Sequence, residues 1–185
     1  GPAFETFNST YRSKCIKMTI MLAANMMNVD FGSLSPSQTA LDALKLCRED
    51  RVRLLPVVDE QGRMAGVVSV AALVKAAFPT TMAVGALELM RNIDGLAGEK
   101  AGDIMGKGLN PFKGFLSVSA GDIMGKKFLS VLPDAPAVQV ASLFLDAASG
   151  VETVFVLDNG GRLLGVITIW DFLKRVSVYA EEVKG

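Results

Sequence analysis

Histidine does not occur in this chain, and cysteine occurs only twice, at Cys15 and Cys47. The first absence removes the commonest general base, every histidine-dependent triad and the usual zinc constellations. Two separated cysteines are too few for a thiolate metal site. Cys47 falls at helical spacing with Ala40 and Leu44, as a small buried hydrophobe does. Such usage fits a reduced, cytoplasmic setting, with a disulfide left open. Neither sign of charge is in excess, because 19 basic residues balance 19 acidic ones. The chain therefore carries no electrostatic footprint for nucleic acid or an anionic membrane. The apolar run Met18 to Met27 is interrupted by Thr19 and Asn25 and is too short to span a bilayer, so direct membrane insertion is not expected. Gly1-Pro2 looks like a protease scar, which predicts a longer natural protein.

What the chain does have is a repeat. Residues 55–69 align with residues 154–168 at an offset of 99, matching Asp59 to Asp158, Gly62 to Gly161, Arg63 to Arg162 and Gly66 to Gly165. The alignment runs ungapped to Lys75 and Lys174. Half of the 185 residues are apolar, enough for a sizeable core and an oligomer interface. Each copy is too small to bury its own core, so two copies are expected to share one, with a symmetric cleft between them.

Each repeat reads helix, strand, turn, strand, helix. In the first, Ser35-Pro36-Ser37-Gln38 predicts a capping box opening a helix whose buried face carries Ala40, Leu41, Leu44 and Cys47. Strands are expected at Leu54–Val58 and Met64–Ser69 around the Asp59–Gly62 turn, and a helix from Val70 to Ala77. In the second, Asp134 is placed to cap a helix burying Val138, Ala141, Leu145 and Ala148, with Phe144 beside them. Strands follow at Thr153–Leu157 and Leu163–Ile169, then a helix over Trp170–Tyr179.

Between the repeats lies a glycine-punctuated connector with a helical stretch at Met82–Arg91. Beyond it is a tighter duplication. Residues 101–107, Ala-Gly-Asp-Ile-Met-Gly-Lys, recur as residues 120–126, and Phe115–Val118 recurs as Phe128–Val131. The strand that introduces the second repeat is thus written twice, so two near-identical strands are set to compete for one place in the sheet. A neutral duplication whose first copy loops out is the plainer reading. Gly102-x-x-x-Gly106-Lys107 and its second copy are not phosphate loops, being one residue short and lacking the final Ser/Thr. Lys126 and Lys127 read as solvated surface lysines.

The paired strands, the Asp-x-x-Gly turn, the Gly-Val-Ile-Thr strand end (residues 165–168) and the Asp171-Phe172-Leu173 helix start resemble the CBS (cystathionine β-synthase) domain. Asp122-Ile123-Met124, then Val131, Pro133 and Asp134, resemble that family's lead-in segment. The resemblance covers roughly Met26 to Ser177 and implies a tandem pair, or Bateman module. The implied fold is α+β, two βαββα repeats packed with pseudo-two-fold symmetry. The expected divisions are an N-terminal segment 1–25, a first repeat 26–78, a connector 79–119, a second repeat 120–178 and a tail 179–185.

The resemblance also implies a regulatory, non-enzymatic module that senses an adenosine-type ligand (AMP, ATP or S-adenosylmethionine) and dimerises through its helices. Thr168-Ile169-Trp170-Asp171 matches the family's ribose signature, threonine for phosphate and aspartate for the ribose hydroxyls. A strand ends there and a helix begins, so free backbone N–H groups face an anion, and a carboxylate one turn in can receive a cis-diol. Thr168-x-x-Asp171 is equally a capping box. The repeat and the resemblance together favour ribose. Adenine would lie between Val151, Thr153, Val154 and Phe155 and the strand at Ser130 and Val131, although Phe155 also reads as a core aromatic. In the first repeat Ser69-Val70-Ala71-Ala72 lacks the carboxylate, while Arg51, Arg53 and Leu55 offer a basic second cleft. The matching positions, Gly150 and Glu152, are not basic. One site of modest affinity is therefore expected, with no metal and no catalytic residue. The alternative is a structural dimerisation module with no ligand.

Overall fold

A computed structural model describes residues 21–77, 115–146 and 152–182. In chain order these hold α1 (Ala23–Met26), α2 (Ala40–Asp50), β1 (Leu54–Val58), β2 (Met64–Ser69) and α3 (Val70–Ala77). There follow α4 (Ala120–Ile123), β3 (Ser130–Val131), α5 (Ala137–Asp146), β4 (Thr153–Leu157), β5 (Leu163–Thr168) and α6 (Ile169–Glu182). The expected helix at Met82–Arg91, the first copy of the duplicated heptapeptide, Ala148, Gly150 and Val151 lie outside the described residues.

The fold is α+β with two small sheets, one for each repeat. Two compact units divide the chain, and neither is a contiguous repeat. The first-repeat unit takes residues 32–59 and 65–126, and the second-repeat unit takes residues up to 31, 60–64 and 127 onward. In the second-repeat unit β3 runs parallel to β4, and β4 antiparallel to β5. Gly161, at φ 79°, closes the β4–β5 turn in a backbone region that side chains disfavour. Asp158 supports that turn through Oδ1, which accepts the N–H groups of Gly160 and Arg162, both at 2.8 Å. Gly62, at φ 76°, does the same for β1–β2.

Each sheet buries one face against helices. In the second-repeat unit Val154, Val156 and Ile167 pack with Val131, Ala137, Val140 and Phe172. In the first-repeat unit Leu55, Val57 and Val68 pack with Leu34, Ala43, Cys47 and Leu73. Burial of such β-branched and aliphatic side chains stabilises each by roughly 1.5–3 kcal/mol. The short helices complete these cores. Ala23 and Met26 of α1 belong to the second-repeat core, whereas Ala120 of α4 belongs to the first.

Several expectations are corrected. Ser35–Gln38 is a turn rather than a cap, because the Gln38 side chain accepts the Ser35 N–H at 2.8 Å. The helix begins four residues later than expected, at Ala40, capped by Thr39 with Asp42 at N3. Its buried face holds Ala40, Ala43 and Cys47, and Leu44 is exposed. Likewise α5 starts at Ala137, three residues beyond Asp134, and buries Ala137 and Val140 while Val138 and Leu145 face outward. Residues 115–117 are helical, not a strand, and Phe115 is buried in the first-repeat core. The expected competition between two strands therefore has no second strand.

Candidate functional site

The register of the second-repeat sheet sorts its side chains into two faces. Ser130 pairs with Phe155, Phe155 with Val166, and Thr153 with Thr168. Directly opposed residues point to the same side, and neighbours along a strand to opposite sides. Ser130, Thr153, Phe155 and Thr168 thus share one face. Val131 and Val154 turn to the other face and pack in the core, so their side chains are not with Thr168. Phe155 is fully buried, and Phe128 stands edge-on against it at 5.8 Å and 86°. Asn28 was not anticipated. It pairs with Val166 through hydrogen bonds of 2.8 and 2.9 Å, which extends the row Ser130–Phe155–Val166 by one residue. No local pattern betrays that pairing, because Asn28 lies far from Val166 in sequence.

At the end of β5 the chain turns directly into α6. The Ile169 N–H donates to the Glu152 carbonyl at 2.9 Å, tying the helix start to the residue before β4. The Thr168 N–H and hydroxyl both donate to Asp171 Oδ2, at 2.9 and 2.7 Å. The Asp171 N–H donates to Thr168 Oγ1 at 3.1 Å. This is a complete capping box. It occupies Oδ2 and not Oδ1, so the cap leaves one carboxylate oxygen out of its bonding. Trp170, between the two polar residues, is 76% exposed.

The first repeat builds the same corner with one part missing. Val70 N–H donates to the Arg53 carbonyl at 2.9 Å, the counterpart of Ile169 and Glu152. Ser69 Oγ accepts the Ala72 N–H at 3.1 Å, but Ala72 has nothing to return. Leu55 is buried in the core. Arg53 is exposed, and Arg51, also exposed, caps the C-terminus of α2 at φ 54°, ψ 38°. It is the one positive-φ residue other than glycine among the described residues. Both repeats thus end a strand on a hydroxyl that caps the next helix.

The CBS domain profile matches residues 23–79 and 120–178, more than half of the chain. The chain belongs to the CBS domain family. No curated protein matches it. Among solved structures it is similar to a CBS domain-containing protein of unknown function from Bacillus anthracis, at TM-score 0.63 and 12% identity, over 87% of this chain and 96% of that one. It is similar to CBSX2 of Arabidopsis thaliana in complex with AMP, at TM-score 0.58 and 22% identity, over 89% and 98% of the two chains. The cytosolic domain of the Mg2+ channel MgtE in complex with ATP matches at TM-score 0.56 and 22% identity, over 83% of this chain and 48% of that one.

Elsewhere in this CBS pair the electrostatics are those of helix caps. Hydrogen bonds from Thr39 hold the Asp42 carboxyl below its ordinary value, and those from Ser119 do the same for Asp122. Burial pushes the Cys47 thiol up, which disfavours the reactive thiolate. Among the described residues no group of three or more carboxylates and cysteines could hold a metal ion, and no helix is long and apolar enough to cross a membrane.

Proposed function

We propose that this CBS pair is a regulatory, non-enzymatic module that binds one adenosine-type ligand at the Thr168–Asp171 corner. The observation that carries the reading is the division of labour on Asp171. Its Oδ2 holds the helix cap, and its Oδ1 takes no part in it. The same side chain can therefore stabilise α6 and accept a ribose hydroxyl. Thr168, Thr153 and Ser130 supply polar groups on the same face, and Phe155 an apolar floor. CBSX2 and the MgtE domain, which share the fold, were solved with AMP and ATP, and this favours AMP or ATP over S-adenosylmethionine. The ligand controls a partner protein or an attached domain in the cytoplasm.

A second reading rests on the exposed apolar side chains of α6. Trp170, Leu173 and Val178 face outward, as do Val138 and Leu145 of α5. Those surfaces suit a homodimer, and a dimerisation module needs no ligand.

A thermal melt against AMP, ADP, ATP, adenosine and S-adenosylmethionine separates the two, with Asp171→Ala alongside. A ligand at 100 times its Kd adds about 2.7 kcal/mol, roughly a 5–10 °C rise for a chain of this size. A rise with one adenosine compound that disappears in the variant supports the sensor. No rise at millimolar concentration leaves the dimerisation module.

A further inference from the structure

The short helix α4 is held in the first-repeat unit by a compact set of contacts. Ala120 N–H donates to the Gln38 carbonyl at 2.7 Å, and Gly121 N–H to the Pro36 carbonyl at 2.9 Å. Gly125 and Val67 exchange two backbone hydrogen bonds, of 2.8 and 2.9 Å, and Lys126 Nζ donates to the Ala65 carbonyl at 2.9 Å. Ala120 is fully buried, while Ile123 and Met124 pack against the first-repeat core. Side-chain size matters at Gly121, where a Cβ would come 3.1 Å from the Pro36 carbonyl oxygen.

Each of these contacting residues occurs a second time in the chain. Ala101, Gly102, Ile104, Met105, Gly106 and Lys107 repeat Ala120, Gly121, Ile123, Met124, Gly125 and Lys126 in order. We infer that the surface holding residues 120–126 accepts a second occupant, residues 101–107 of the same chain. The backbone donors and acceptors are common to any sequence, and the side chains that must be small, apolar or cationic are small, apolar and cationic in both copies.

The flanks decide which copy is favoured. Ser119 caps α4, with Asp122 Oδ2 accepting its hydroxyl at 2.6 Å and its N–H at 3.1 Å. The first copy has Lys100 at that position. Val118 packs against the core and Phe115 is buried in it, and their counterparts are Glu99 and Leu96. Loss of the cap and of one aromatic side chain makes the first copy the weaker occupant, yet it keeps every residue that touches Pro36, Gln38, Ala65 and Val67.

The test uses the full chain with Ala120→Glu, Ala101→Glu, the double variant, and the cap exchange Lys100→Ser/Ser119→Ala. Melting temperature and peptide-resolved hydrogen exchange are read on each. Ala101→Glu is expected to melt as the parent does. Ala120→Glu is expected to melt a few degrees lower, with slow exchange passing from residues 120–125 to 101–106. The double variant should lose far more than the sum of the two. In the cap-exchange variant protection should move to the first copy with the fold retained. Equal melting of Ala120→Glu and the double variant would overturn the inference, as would protection that never appears on 101–106. Failure of Ala120→Glu alone to fold counts against it too, because a competent substitute is present. A dimer formed only by Ala120→Glu would move the occupant to a second chain and overturn the same-chain assignment.

Discussion

Asp171 Oδ2 receives two hydrogen bonds from Thr168, one from the backbone at 2.9 Å and one from the hydroxyl at 2.7 Å. The two residues are thus locked together, and the geometry of the corner is set by the protein alone.

That arrangement separates Asp171→Asn from Asp171→Ala. Asparagine keeps a carbonyl oxygen for the cap, so unfolding in urea should shift by less than about 0.5 kcal/mol. Alanine should cost about 1 kcal/mol, as lost caps do. Both should weaken AMP binding at least tenfold in calorimetry, since neither presents a carboxylate to the diol. Asparagine binding as tightly as aspartate would rule out the diol role.

Ala72→Asp tests the missing half of the first-repeat corner. Ser69 Oγ already accepts the Ala72 N–H at 3.1 Å, so a carboxylate there can complete the box. The expected gain is about 0.5–1 kcal/mol in the urea transition. Titration of AMP should then report two sites per chain in place of one. A single site would mean that the second corner lacks more than its acid.

Arg51 adopts a left-handed conformation that glycine occupies without a Cβ penalty. Arg51→Gly should therefore raise stability by about 0.5–1 kcal/mol, the αL cost less the entropy of glycine. The urea midpoint checks this. A loss of stability would show that the arginine side chain has a holding role there.

Acid should loosen two helix starts. The carboxyls of Asp42 and Asp122 are lowered by hydrogen bonds, so the folded state binds fewer protons than the unfolded one. Their contribution is complete above the unfolded pKa of about 3.9 and is lost as pH falls through the lower folded value. Urea midpoints between pH 6 and pH 3 should decline below about pH 4. Thr39→Ala and Ser119→Ala should flatten that decline, and a decline of unchanged size would assign it to other groups.

Strands and turns were readable from the sequence because their signals are local. Leu54–Val58 and Thr153–Leu157 stand where a short apolar run followed by a glycine turn puts them. Helix faces were less readable. Ala43 and Leu44, or Val138 and Ala137, are adjacent apolar choices on a 3.6-residue period, and only the position of the sheet decides which goes inside. At the site, the Thr168–Asp171 bond follows from spacing alone. The placing of Asn28 beside Val166, and of Val154 away from Thr168, depends on strand register and on a partner distant in sequence.

The short helices have a consequence for biosynthesis. Ala120 completes the core that begins at Leu34, and Met26 completes the core that ends at Phe172. A ribosome that has released only the first repeat has made strands whose clasp is still to be translated, and a clasp whose strands do not yet exist. The first core closes only once α4 has been made, and the second only once α6 can meet α1, so closing each one spans a long stretch of chain. Cutting the gene ahead of residue 115 would separate both helices from the cores they complete, so a piece that holds the first core must run on to residue 126.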